Sequence, residues 1–153
     1  METSGAGDAD LKLDAPIVRR MLVQFIRDEV CSTGFSKGVV GLSGGVDSSL
    51  VALLAAEALG KENVTALLLP YRTSSPDSVE DALSVVRQAG VRSERFDITP
   101  MVEPFFAADA ATDDLRKGNI MARQRMIVLY DRSARDRALV IGTSNKTELL
   151  LGY

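Results

Sequence analysis

The chain has 153 residues, enough for one domain with a core of its own. Its net charge of −3, with no long basic run, argues against a nucleic-acid backbone as the main partner, because that work needs clustered Lys and Arg. With no histidine and one cysteine, Cys31, it excludes Ser-His-Asp chemistry, imidazole acid–base work, an internal disulfide and any multi-Cys zinc site.

Residues 1–13 read as a flexible, small, acidic tail, without the basic and apolar regions of a secretion signal. No stretch reaches the ~18 apolar residues of a membrane span, so no membrane partner is expected and the cytoplasm is the natural compartment. Ile17, Val18, Met21, Leu22, Phe25, Ile26 and Val30 share one face of a helix, with Asp14 as N-cap and Pro16 in the first turn. Cys31 near its end reads as a core or surface thiol. A short β-branched strand follows over residues 38–42, then a glycine-rich loop, then a helix over 49–59 closed by Gly60. A second strand covers 64–69 and stops at Pro70. A helix over 79–89 closes on Gly90, and a weaker strand covers 93–98. Residues 100–110 suggest a short helix, against which Pro104 counts. A long helix over 118–135, a strand over 138–141 and a helix from 145 to 151 complete the series. Phe25, Met126 and Tyr130 read as core residues.

This alternation argues for a doubly wound α/β domain with a mainly parallel sheet and helices on both faces. Ligands in such sheets sit beyond the carboxyl ends of the strands. The loop Ser43-Gly44-Gly45-Val46-Asp47-Ser48-Ser49 lies there, between strand and helix. Backbone N–H groups at a helix start, with glycines that let the chain approach closely, make an anion site. Asp47 repels phosphate by itself, but suits a Mg²⁺ ion bridging phosphates. The loop lacks the lysine of a Walker A motif and the spacing of a dinucleotide fingerprint. A ligand-free capped turn is the plain alternative.

This loop resembles the signature of the N-type ATP pyrophosphatases, which cleave ATP between its α- and β-phosphates and adenylate a substrate. Three further stretches narrow the likeness: Leu69-Pro70-Tyr71-Arg72-Thr73-Ser74-Ser75-Pro76, Arg116-Lys117-Gly118-Asn119-Ile120-Met121-Ala122-Arg123-Gln124-Arg125-Met126, and Gly142-Thr143-Ser144-Asn145-Lys146-Thr147-Glu148-Leu149-Leu150-Leu151-Gly152-Tyr153. Together they resemble the ammonia-dependent NAD synthetase family from about residue 16 onward. The resemblance implies the Rossmann-like fold of the adenine nucleotide alpha hydrolases. It also implies amidation of deamido-NAD by ammonia at the expense of ATP, through an adenylate, with release of AMP and pyrophosphate. Catalytically inactive nucleotide binding, or adenylation of a different acid within the superfamily, are the rival readings.

Carried over residue by residue, the resemblance has Gly41, Leu42, Ser43, Gly44, Gly45, Val46, Asp47 and Ser48 wrap the ATP phosphates. It has Thr143 contact ATP, and Asp47 and Glu148 hold Mg²⁺. Arg123 would hold deamido-NAD, with Arg72 and Lys117 as lesser candidates. Glu148 can equally cap its helix, Thr143 can serve as an N-cap, and Arg123 can lie on a solvated face. The family works as a homodimer, which is the expectation here. The family also continues past a position equivalent to Tyr153 with further contacts, so residues 14–153 read as a core domain incomplete at its C-terminal side.

Overall fold

A computed structural model describes residues 13–109 and 111–151; apart from Leu13, the tail read over 1–13 lies outside them. The first helix, α1 (Ala15–Ser32), starts as its sequence suggests. The Asp14 carboxylate accepts from the Ile17 N–H at 3.1 Å, and Pro16 occupies the first turn, where an N–H has no helical partner anyway.

Four strands follow: β1 (Gly38–Gly41), β2 (Val64–Leu68), β3 (Arg92–Arg95) and β4 (Leu139–Ile141). They form one parallel sheet in the order β3-β2-β1-β4. The intervening helices are α2 (Val46–Leu59), α3 (Pro76–Ala89), α4 (Thr99–Ala108) and α5 (Asp114–Asp136), and α6 (Lys146–Leu151) follows β4. Alternate residues of the central strands feed two cores. Val40, Val64, Ala66 and Leu68 pack with Ala52, Ala55 and Ala82 of α2 and α3. Val39 and Leu67 pack with Val102 and Val128 of α4 and α5. Burial on both faces is why β1 and β2 read as continuous apolar runs rather than alternating ones. Each buried Val or Leu contributes about 1.5–3 kcal/mol, which concentrates the stability in the middle of the sheet, beneath the loops that end it.

The helix α1 lies outside this sandwich. It packs on α2 through Val23 against Leu54 and Ala58, with Arg19 and Glu57 paired at 2.8 Å. That contact is narrower than the apolar stripe of α1, so Ile17, Met21 and Phe25 remain exposed. The core assignment of Phe25, Met126 and Tyr130 is therefore corrected: they are 59%, 51% and 59% exposed. In α5 the buried position is Val128, and residues two positions to either side fall on the opposite face of a helix.

Three helices start three or more residues earlier than their sequence suggests, two of them on a side-chain cap. Gly45 leads into α2 at Val46 rather than Ser49. The Ser75 hydroxyl accepts from Asp77 N–H at 3.2 Å, so α3 begins at Pro76. Asp113 accepts from Arg116 N–H at 2.8 Å, so α5 begins at Asp114. The strand β3 is regular only to Arg95, yet Phe96 and Ile98 still donate to Leu68 and Pro70 at 2.9 and 3.0 Å, so the chain runs alongside β2 as far as expected. The helix α4 persists through Pro104 because fully buried Val102 and its neighbours Met101 and Phe106 pack against the sheet.

The edge strand β3 is tied to α5 by charge. Glu94 accepts from Arg132 Nε at 2.7 Å and from Arg135 Nη2 at 3.0 Å. The Arg132 bond, seconded by Arg135 and resisted by burial, holds the Glu94 carboxyl below the usual carboxylate range. A depressed folded pKa means stability that is complete above the ordinary glutamate value of about 4.3 and lost as the pH falls through the folded value. Replacement E94Q should cost about 1–2 kcal/mol in urea melts at pH 7. The gap from the unsubstituted chain should narrow as the pH drops below 4, and a gap that stays constant into acid would show that Glu94 acts through packing alone.

Candidate functional site

Beyond the carboxyl ends of β1, β2 and β4 lies a cleft of about 470 Å³. Its position follows from the strand order. The chain leaves β1 toward β2 on one side and reaches β4 on the other, and the loops diverge where the order reverses. Gly41 and Leu42 form its base, Ser43 and Ser48 one wall, Ser75 and Ser78 of the α3 start another, and Thr143 comes from the turn after β4.

The β1–α2 turn is fixed by Gly44, which has φ of +86°. A Cβ there would collide with the backbone carbonyl of Ser78, so both the left-handed conformation and the closeness of α3 require glycine. Serine hydroxyls then lock the turn from inside. Ser43 and Ser48 Oγ atoms lie 3.0 Å apart, and Ser48 also accepts from Ser43 N–H and donates to Gly45 C=O. Ser49 donates to the same carbonyl at 2.8 Å. Backbone N–H groups of Gly44, Val46 and Asp47 have no protein acceptor among the described residues. They are donors at a helix start, where the dipole favours an anion.

Asp47 lies exposed on the first turn of α2, at the rim rather than within the cleft lining. Asn145 joins it to Glu148. The Asn145 side-chain amide donates to Asp47 Oδ2 at 3.3 Å, its N–H donates to Glu148 Oε2 at 3.2 Å, and its Oδ1 accepts from Glu148 N–H at 2.9 Å. The last two bonds form a reciprocal cap on α6, so Asn145 caps that helix and Thr143 is left facing the cleft. Asp47 and Glu148 offer hard carboxylate oxygens as donors, and this donor set fits Mg²⁺, a hard cation that completes its shell with phosphate and water. Among the described residues no group of three or more acidic, His or Cys side chains gathers, so the protein would supply only part of that shell.

Arg123 is not brought to the cleft. It is exposed on α5 and donates to the backbone and side-chain oxygens of Asn119 at 3.2 and 3.1 Å. Arg72 pairs with Glu103, and Lys117 with Asp114; both also lie outside the lining. The residue that sequence reading passed over is Arg125. It is half-buried, lines the cleft, and donates from Nε to the Leu69 carbonyl at 3.1 Å. Burial pulls its pKa below the usual arginine value. A signal existed: Arg125 and Leu129 are four apart and both line the cleft, whereas Arg123 lies two positions away and so on the other side of the helix. Ser75 and Ser78 were missed because a serine-rich stretch before a helix reads simply as a turn and cap.

A family model for NAD synthase matches residues 18–153. An NH(3)-dependent NAD(+) synthetase of Chlorobium phaeobacteroides is 57% identical over 143 residues, which are 94% of this chain and 52% of that protein. The structure is similar to an NH3-dependent NAD synthetase from Campylobacter jejuni, with a TM-score of 0.86 and 42% identity over 93% of this chain and 62% of the other. It is also similar to an NMN synthetase from Francisella tularensis, with a TM-score of 0.86 and 32% identity over 93% and 59% of the two chains. The chain spans about half the length of the curated relatives it matches.

The two loop glycines separate shape from mere smallness. Gly44→Ala should lower stability by about 2 kcal/mol or more in urea unfolding, from the left-handed φ and the collision with α3. Gly45→Ala should cost less than about 1 kcal/mol, because a Cβ there meets only Ser43 Oγ at 3.4 Å. Equal losses would contradict this account of the turn.

Proposed function

The chain belongs to the NAD synthase family, and from that premise we propose that it activates the nicotinate carboxylate of deamido-NAD with ATP and passes it to ammonia, forming NAD. The observation that carries the reading is the β1–α2 turn, whose N–H groups, unpaired among the described residues, and locked serines adjoin the cleft that Thr143 also lines. Gly41 to Ser48 and Thr143 are the proposed ATP contacts, Asp47 and Glu148 the proposed Mg²⁺ ligands, and Arg123 the proposed contact to deamido-NAD. Because Arg123 stands apart from the cleft, the dinucleotide would extend from the cleft across the exposed side of α5, where a second copy of the chain would cover it in a homodimer. Residues 14–153 act in this reading as one core domain of a cytoplasmic ligase.

The chemistry needs two displacements. A carboxylate oxygen of deamido-NAD attacks the α-phosphorus of ATP, and the bond to the bridging β-phosphate oxygen breaks, so pyrophosphate leaves. Ammonia then attacks the activated carbonyl carbon, AMP departs, and the nitrogen gives up a proton. The N–H groups of Gly44, Val46 and Asp47 are suited to hold phosphate oxygens in line and to accept the charge that builds on the leaving group. Bound Mg²⁺ would add neutralisation of phosphate charge. No step calls for a covalent nucleophile or an imidazole, in keeping with a chain that has no histidine.

The rival reading is nucleotide binding without turnover, and the chain spans about half the length of its curated relatives. One assay separates the two. AMP and pyrophosphate should appear from ATP and Mg²⁺ only when deamido-NAD is present, and NAD only when ammonium is added as well. Asp47→Asn should slow AMP release by about 100-fold with little change in the thermal melt. ATP binding with no AMP under any combination would leave the nucleotide-binding reading standing and remove the amidation reading from this chain.

A further inference from the structure

Among the described residues, Arg125 is the only charged side chain lining the cleft; the rest are apolar side chains, glycine, proline and hydroxyls. It is half-buried, and no carboxylate among the described residues pairs with it. Of the other arginines of α5, Arg116, Arg132 and Arg135 have acidic partners, and Arg123, which bonds Asn119, is exposed on the far side of the helix rather than in the cleft. Its one recorded bond, from Nε to Leu69 C=O at 3.1 Å, uses a single donor of five and anchors the guanidinium at the end of β2. A cation taken from water without a counter-charge is unfavourable unless something compensates it. The nearby turn already offers backbone donors to an anion, and a planar guanidinium is suited to phosphate oxygens.

We propose that Arg125 supplies the positive charge that selects the phosphorylated form of the nucleotide in this cleft, with Leu69 C=O holding the guanidinium in position. The assignment rests on the reading of the cleft as an ATP site, and gives that site a discriminating group from α5. A tether that merely shapes the cleft would serve adenosine and ATP alike. A charge that contacts phosphate serves ATP and AMP but is indifferent to adenosine.

The test is titration calorimetry of the 153-residue chain and its R125Q and R125K variants with ATP, AMP and adenosine, each in Mg²⁺ buffer, with a thermal melt of each protein. R125Q should weaken ATP and AMP by about 10-fold to 100-fold and leave adenosine within about twofold. R125K keeps the charge without the fork and should retain most of the preference for ATP over adenosine. Equal weakening of ATP and adenosine in R125Q, or no weakening of ATP, would overturn the assignment while leaving the ATP site intact. Should R125Q fail to fold, loss of the ATP preference in a folded R125K overturns it instead. An unsubstituted chain that binds none of the three ligands would remove both the ATP site and the role given to Arg125.

Discussion

The approach of the β1–α2 turn to α3 at Gly44 is the constraint on which the rest of the site depends. The first strand lies inside the sheet, with β2 on one side and β4 on the other, so its end is the one point from which a loop can reach both halves of the cleft. For that loop to open N–H groups toward a ligand, the chain must reverse within three residues and begin a helix at once. It does so only because residue 44 takes φ of +86° with nothing between its Cα and the Ser78 carbonyl. A side chain at this position would separate α2 from α3 and pull the serine wall of the cleft away from its donors.

Electrostatics divides the site into two zones. The lining combines apolar side chains with hydroxyls, backbone and one guanidinium; the carboxylates Asp47 and Glu148 stand at the rim, held together through Asn145. An anion therefore meets donors when it enters, while a cation finds carboxylates beside the opening. That separation permits a polyanion and a divalent ion to bind side by side without either facing like charge at contact distance. It also explains why a single asparagine makes three bonds there: its amide and backbone hold Glu148 in a helix cap and Asp47 across the gap at the same time.

Much of the fold was legible because its signals are local or periodic. Val39, Val40 and residues 64–68 read as short buried strands and are so, and Gly60 and Gly90 close their helices as their positions suggest. What was illegible depends on partners distant in the chain. Nothing in the spacing of Ile17, Met21 and Phe25 tells that α2 covers only the Val23 side of α1. Nothing in the sequence near Asn145 announces a bond to Asp47, 98 residues away. Within the site, the turn residues were found because glycines and serines in that order have few other uses. Arg125 was passed over because the resemblance carried a role to Arg123 and none to the arginine two positions on, which the helix turns to the other side.

The pairing of β1 with β4 also sets an order of events. Gly38 lies beside Leu139, about 100 residues later, whereas β2 becomes available about 25 residues after β1. At ~5–20 residues per second of ribosomal synthesis, one side of β1 waits about 5–20 s for its partner. Throughout that interval a strand that is internal in the finished sheet is an edge, apolar on both faces. The nascent protein therefore carries an unpaired apolar edge while the β1–α2 turn is already synthesised and Thr143, on the other side of the cleft, is not yet made.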